Sequence, residues 1–576
     1  MLSAAIDGLG SGIDFKGDGA GKTDQVLRHR NRLFGTAATP ASWALGDNGG
    51  VLPVSRLGQR PRSFRQGPSM PFKPVPALAA NTEAFEITPL VKPTGFREYD
   101  ARWWFGAPGD PKAPELNLLG VQALGLGLAT LAHRLGVKPQ IVVGHDFRFY
   151  SLSIKQALTL GLLQGGMKVL DIGLALSPTA YFAQFALDCS CVAMVTASHN
   201  ENGWTGVKMG AGAPLTFGPE EMSALKEIVL SGDFQESPGG LYQRVENFAE
   251  RYIAEVSDKI AIRRPLKVVA ACGNGTAGAF APKALRRMGV EVVPVDCDLD
   301  WTFPRYNANP EDEEMLHAMA QAVKEHGADL ALGFDGDGDR CGVVDDQGHE
   351  IFADKIGLML ARDLSAIHKG AQFVVDVKST GLFAIDPVLA ANGASVDYYK
   401  TGHSYIKRRT TELNALAGFE KSGHFFFRAP IGRGYDDGLV AASAVLAMLD
   451  RNPEKSLSQL KAELPVSYTS ITMAPHCADE VKYRIVDAIV AEYEALARGG
   501  GRILGRAIRD VNTVNGARVT LADGSWVLVR ASSNKPELVV VVESMQSDAD
   551  KVALFREEVK PRLAQRPEVG VYNQEI

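Results

Sequence analysis

Beyond residue 95 the apolar and polar positions repeat one pattern three times. Lys138-Pro-Gln-Ile-Val-Val143 leads through a polar loop and an apolar helical stretch to Met167-Lys-Val-Leu-Asp171. Lys267-Val-Val-Ala-Ala-Cys272 leads through a glycine loop and the stretch from Ala281 to Met288 to Val290-Glu-Val-Val-Pro-Val295. Phe373-Val-Val-Asp-Val377 leads through Ser379-Thr-Gly381 and a helix to Ala394-Ser-Val-Asp-Tyr-Tyr399. Each is a β-loop-α-β unit, which implies parallel strands. Val142, Val268 and Val374 lie 126 and 106 residues apart, a domain-sized period. The pattern predicts three related α/β domains in tandem, with mixed, mainly parallel sheets.

After about residue 465 the character changes, to a helix near 477–497 and strands at Ser525 to Val529 and Glu537 to Glu543, which predicts a smaller α+β C-terminal domain. The expected domains are 91–243, 244–348, 349–464 and 465–576, arranged around a central cleft. Over residues 1–90, Gly, Pro, Ser and Arg recur and apolar periodicity is hard to find, so this stretch is expected to be largely disordered, with Met70 an alternative start. Gly17-Asp-Gly-Ala-Gly21-Lys22-Thr23 imitates a P-loop, but it has one residue too few between its outer glycines and no apolar strand leads into it.

Composition narrows the function classes. The 576 residues carry a net charge of −6, so no basic field invites nucleic acid. Six scattered cysteines form neither a disulfide framework nor a paired zinc spacing, which reads as a reduced, cytoplasmic protein. No apolar run is long enough to cross a membrane, and the N-terminus lacks a signal peptide pattern.

In parallel sheets ligands sit at the carboxyl ends of strands, and four loops carry unusual chemistry there. Asp335-Gly-Asp337-Gly-Asp339-Arg340 sets three carboxylates at alternate positions with only glycine between them. Such charges repel unless a cation or shifted protonation intervenes, and all-oxygen ligation suits a hard ion such as Mg²⁺. A calcium EF-hand loop fails here, because Arg340 stands where that loop needs glycine, Asp346 stands at its final Glu position and no exiting helix follows. Thr196-Ala-Ser198-His199-Asn200 presents a serine directly after the apolar Cys191-Val-Ala-Met-Val195, with Lys208 ten residues on; an ST-turn is the plain alternative. Glu420-Lys-Ser422-Gly-His424 mixes acceptors and donors suited to sugar hydroxyls. Arg530-Ala-Ser532-Ser533-Asn534-Lys-Pro536 offers a guanidinium, hydroxyls and turn amides to an anion. A competing signal is Gly273-Asn-Gly275-Thr-Ala-Gly278, a G-x-G-x-x-G after a strand with Asp296 ending the next strand, which alone would suggest a nicotinamide dehydrogenase.

Together these four loops resemble, in order and spacing, the α-D-phosphohexomutases, and most of all their phosphomannomutase/phosphoglucomutase branch, over about residues 95–576. Tyr99-Asp-Ala-Arg102 resembles the family's entry motif Tyr-Asp-Ile-Arg-Gly, with Ala101 and Trp103 as departures. Lys378, and Thr401-Gly-His403 with Lys407, resemble sugar-contact segments, while Lys421 and Ser533-Asn534 replace the family's usual Met or Gln and Asn-Thr. The resemblance implies a mutase that exchanges phosphate between O1 and O6 of mannose or glucose, through a phosphoserine at Ser198 and a hexose 1,6-bisphosphate that also serves as activator. It implies one Mg²⁺ on Ser198, Asp335, Asp337 and Asp339, with Arg102, His199, Lys208, Arg340 and His403 around the chemistry. Tyr99, Lys378, His403, Glu420, Ser422, His424, Arg530, Ser532, Ser533 and Asn534 are the implied substrate contacts. Hexose phosphates are the implied partners of a monomer or dimer. A glucosamine phosphate mutase and a non-catalytic sugar-phosphate binder on the same fold are the alternatives.

Overall fold

Three sheets share one wiring. In the computed structural model, which describes residues 72–533 and 535–576, the strands Gln140–His145, Lys267–Ala271 and Gln372–Asp376 each lie between two parallel neighbours. On one side lie Lys168–Leu174, Glu291–Val295 and Ser395–Tyr399, reached through the expected crossovers. On the other lie Cys191–Val195, Leu330–Phe334 and Ala417–Phe419, and each of these turns directly into an antiparallel partner. The three turns are the serine, aspartate and Glu420 loops, so three of the four candidate loops occupy the same place in related sheets. Central strands such as Cys191–Val195 and Leu330–Phe334 are buried along their whole length, as both faces of a covered parallel sheet require.

The first three domains share their interior. One continuous apolar cluster runs from Val142 and Met194 through Val268 and Leu332 to Phe373 and Phe419. The fourth domain is an antiparallel sheet of six strands, among them Trp526–Ala531 and Leu538–Ser544, covered by the helix Asp479–Arg498, with an apolar cluster of its own. It meets the third domain through Glu543, a fully buried carboxylate. Glu543 Oε1 accepts from Thr380 Oγ1 at 2.7 Å, Ser467 Oγ at 2.7 Å and Thr469 Oγ1 at 2.8 Å and pairs with Lys355 Nζ at 3.2 Å; Oε2 accepts from the Gly381 N–H at 2.7 Å and Trp526 Nε1 at 2.6 Å.

Residues 72–90, expected to lack structure, are tied down. Val75 bridges Leu90, Thr82 caps the helix Glu83–Ile87, and the buried Asn117 side chain accepts from the Leu90 N–H and donates to the Phe85 and Thr88 carbonyls. The fastening comes from a residue far along the chain, which local composition does not reveal. The expectations for residues 1–71, including Met70 as a start and the Gly17–Thr23 run, lie outside the described residues. Among the described residues no helix is long and apolar enough to cross a membrane.

Candidate active site

The serine and aspartate loops meet face to face. Ser198, only 3% exposed, directs its Oγ to Asp335 Oδ2 at 3.1 Å and stands 3.2 Å from His199 Nδ1. A Cβ on Gly336 would fall 2.4 Å from the Ser198 carbonyl oxygen, so the contact of the two backbones requires glycine there. Asp335, Asp337 and Asp339 are fully buried, and each offers an oxygen within 4.8 Å of the others. Lys208 Nζ pairs with Asp337 Oδ2 at 2.7 Å and also with Asp339, and Ser177 Oγ donates to Asp337 Oδ2 at 2.5 Å. Among the described residues, Asp337 Oδ1 and Asp339 Oδ1 have no hydrogen-bond partner. Buried carboxylate oxygens without donors are costly, and three converging carboxyl groups fit a hard divalent cation.

The electrostatics follow from burial and charge. Burial, reinforced by Asp339 and Asp337, pushes the Asp335 carboxyl well above the usual range. Asp337 suffers the same burial, but Lys208 and Ser177 outweigh it and hold it well below. Burial, with Arg340 and Arg102 nearby, pulls His199 well down, so its ring is neutral beside Ser198.

Around this centre the other candidates form a connected wall. Arg102 donates to the Thr196 carbonyl at 3.1 Å and pairs with Asp100 at 3.0 Å. Arg340 Nε donates to His424 Nε2 at 3.1 Å and Nη1 pairs with Glu311 at 2.8 Å, while His424 Nδ1 faces Asp436 at 3.2 Å and Asp339 at 3.7 Å. His403 lies edge-on to Tyr99, with ring centroids 4.8 Å apart, and burial pulls its pKa well down. Glu420 accepts from the Gly402 N–H at 2.7 Å and from Ser422 Oγ at 3.1 Å. Lys378 and Arg530 are buried, and the charges of Tyr99, Asp376, Glu420 and Glu98 act on Arg530 against the burial that lowers its pKa. Ser532 Oγ accepts from the Lys535 N–H at 3.3 Å, holding the turn in which Ser533 is half-buried; Asn534 lies outside the described residues.

The sequence reading missed several residues. Asp436, fully buried, sits 2.8 Å from Lys407 and also faces His424; its signal was the acid pair Asp436-Asp437 just before the helix Gly438–Arg451, which Asp437 caps. Glu98 accepts from Tyr405 at 2.8 Å and Tyr483 at 2.5 Å, linking three domains. Two departures from the family motifs have structural uses. Trp103 is buried, packs against Phe96 and donates to the Lys92 carbonyl at 2.8 Å. Lys421 Nζ reaches away to the Ser470 carbonyl at 3.1 Å. The dehydrogenase-like glycines serve packing: a Cβ on Gly275 would lie 3.1 Å from Gly336 Cα and one on Gly278 2.0 Å from the Cys297 carbonyl oxygen, so this turn braces the aspartate loop.

Comparison with known proteins agrees. Profiles of the four phosphoglucomutase/phosphomannomutase domains match in order: α/β/α domain I over residues 94–236, II over 249–348, III over 352–468 and the C-terminal domain over 480–561. The chain belongs to the phosphoglucomutase/phosphomannomutase family. Within that family it is 33% identical over 460 residues to the phosphomannomutase/phosphoglucomutase of Pseudomonas putida, covering 79% of this chain and 92% of that protein. It is 31% identical over 453 residues to a Neisseria meningitidis phosphoglucomutase, covering 78% and 92%. A solved phosphoglucomutase/phosphomannomutase family protein of Burkholderia thailandensis superposes with a TM-score of 0.72 at 27% identity, covering 84% of this chain and 99% of that one.

Proposed function

We propose that this phosphoglucomutase/phosphomannomutase family member interconverts hexose 1-phosphate and hexose 6-phosphate, with Ser198 carrying the phosphoryl group. The observation that carries the reading is the Ser198 Oγ at 3.1 Å from a buried three-carboxylate centre. Asp335, Asp337 and Asp339 would hold Mg²⁺, with Ser198 beside them; when bound, the ion supplies Lewis-acid stabilisation of charge on the transferring group. In the first half-reaction the bond between Ser198 Oγ and phosphorus breaks, a bond from phosphorus to the free O1 or O6 of the sugar forms, and the sugar hydroxyl loses its proton. The resulting 1,6-bisphosphate turns over and returns its other phosphate to Ser198. Lys208, paired with two of the carboxylates, places positive charge beside the transfer. His403, whose ring nitrogens have no hydrogen-bond partner among the described residues, would exchange the proton with the sugar.

Turning over calls for contacts that serve both orientations of the sugar. Glu420 and Ser422 would take hydroxyls common to both, with Tyr99, Lys378 and His424 closing the wall, while Arg530, Ser532, Ser533 and Asn534 anchor whichever phosphate is not reacting. Arg102 and Arg340 flank the reacting one. The test measures turnover of glucose 1-phosphate, mannose 1-phosphate and glucosamine 1-phosphate with Mg²⁺ and a trace of bisphosphate. Ser198→Ala should lose about 10³-fold or more in kcat and carry no phosphate by intact mass. Near-normal turnover by Ser198→Ala would refute the assignment, and glucosamine 1-phosphate as the preferred substrate would move the chain to that neighbouring activity.

A further inference from the structure

The loop that presents Ser198 is gripped from behind by residues outside the carboxylate centre and the sugar wall. Ser198 has φ 53°, in the left-handed region that residues with a side chain enter only when their surroundings impose it. Thr196 Oγ1 accepts from the Ser198 N–H at 2.9 Å on one side of the residue, and on the other its carbonyl is held by Arg148, only 2% exposed. Its Nη2 donates to the Ser198 carbonyl at 3.1 Å and to the Asn200 carbonyl at 2.6 Å, while its Nη1 pairs with Asp146 Oδ2 at 2.5 Å. Asp146, fully buried, accepts from the Ala197 N–H at 3.3 Å through Oδ2 and from Ser151 Oγ at 2.5 Å through Oδ1. Its own N–H donates to the Val195 carbonyl at 2.9 Å, fixing the pair to the strand that feeds the loop. One buried ion pair therefore holds residues 197, 198 and 200 together.

On its other side the Ser198 carbonyl abuts Gly336. Rotating the peptide after Ser198, which would change its ψ, take the residue out of the left-handed turn and let Oγ swing away from Asp335, requires breaking the Arg148 bond in a space that the aspartate loop closes. A guanidinium suits this task because its planar fork reaches two carbonyls and a carboxylate at once, which an ammonium on a flexible stem does not. We propose that Arg148, locked by Asp146, is the positioning residue that keeps Ser198 in its left-handed conformation and its Oγ aimed at the transfer site. The inference rests on Ser198 being the phosphoryl carrier.

The test compares wild type with Arg148→Gln, Arg148→Lys and Asp146→Asn in three measurements: kcat and KM for glucose 1-phosphate, the rate at which glucose 1,6-bisphosphate loads phosphate on the protein, and amide hydrogen exchange over residues 196–200. A misplaced nucleophile should lower kcat and the loading rate of Arg148→Gln together by about 100-fold, leave KM within about threefold, and cost Arg148→Lys about tenfold. Exchange at 196–200 should quicken while the central strands stay protected. A kcat for Arg148→Gln within about threefold of wild type overturns the proposal, as does a loss that tracks thermal stability with exchange at 196–200 unchanged. If Arg148→Gln does not fold, Arg148→Lys carries the same test, and an unaltered kcat and exchange there overturn the proposal. Wild-type protein that turns over none of the sugar phosphates would sink the proposed function instead; exchange in Arg148→Lys would still decide the clamp.

Discussion

Glu543→Gln should separate the fourth domain's stability from its chemistry. The substitution keeps shape and removes one charge. Oε2 receives two fixed donors, the Gly381 N–H and the Trp526 indole N–H, neither of which can turn round. The new amide must therefore point its NH₂ at the Oε1 side, where the hydroxyls of Thr380, Ser467 and Thr469 can rotate to accept. Lys355, whose side chain is 13% exposed, then faces an amide where it faced a carboxylate. Breaking a buried pair by removing one partner costs about 3–5 kcal/mol. Taking the lower figure and a unit of about 110 residues, the transition of the fourth domain should fall by about 10 °C at pH 7.

The pH dependence supplies an independent check. Burial raises the Glu543 pKa, but Lys355 and the surrounding donors outweigh it and hold the folded carboxyl well below its ordinary 4.5. The unfolded chain therefore binds the proton more readily, and the stabilisation is complete above the unfolded pKa and lost as pH falls toward the folded one. Calorimetry of both proteins should show a gap in Tm that is full at pH 7 and narrows from about pH 4.5 downward. A gap below about 2 °C at pH 7, or one that widens in acid, would show that Lys355 finds other compensation and refute the reasoning.

Removing divalent metal with a chelator should abolish turnover, and restoring Mg²⁺ should recover it and raise Tm in proportion to the logarithm of its concentration once binding saturates; Asp337→Asn with Asp339→Asn should lose that Tm response, and a persistent response would place the ion elsewhere. Arg530→Ala should raise KM for hexose phosphates by about 10- to 100-fold, the worth of charge-assisted hydrogen bonds of about 1.5–3 kcal/mol, with kcat changed far less; an unchanged KM in steady-state kinetics would remove Arg530 from the phosphate anchor.

The repeated β-α-β units were legible because strands buried on both faces write themselves as short apolar runs, and the helix at 479–498 and the strands after it fell within a few residues of expectation. The serine and aspartate loops were legible because their residue types are improbable without chemistry, and the structure does bring Ser198 to Asp335. What escaped acts through distance. Arg148 and Asp146 sit in a polar break after a strand, which reads as an ordinary loop until the fold lays it under Ser198. Asp436 looks like a helix start, and Asn117, a helix cap in sequence, also stitches residues 85–90 to the first domain. Tandem repetition predicted three related domains, and the apolar cluster they share was not legible in it: period counts units and is silent on how much surface they hide from one another.

The buried carboxyl triplet has a bearing on how the protein behaves in the hands of an experimenter. Asp335, Asp337 and Asp339 bring a formal −3 into a space closed to water, and Lys208 and Arg340 return +2. A phosphoryl group on Ser198 adds about −1.5 to −2, and a divalent cation adds +2. Either alone unbalances the pocket; both together leave its sum nearly unchanged. A protein that carries the phosphoryl group should therefore bind the cation more tightly than one that does not. Samples that differ in phosphate content should then differ in how readily a chelator strips them, and a sample stripped of its cation during purification should read as an enzyme of low specific activity although its sequence and fold are intact.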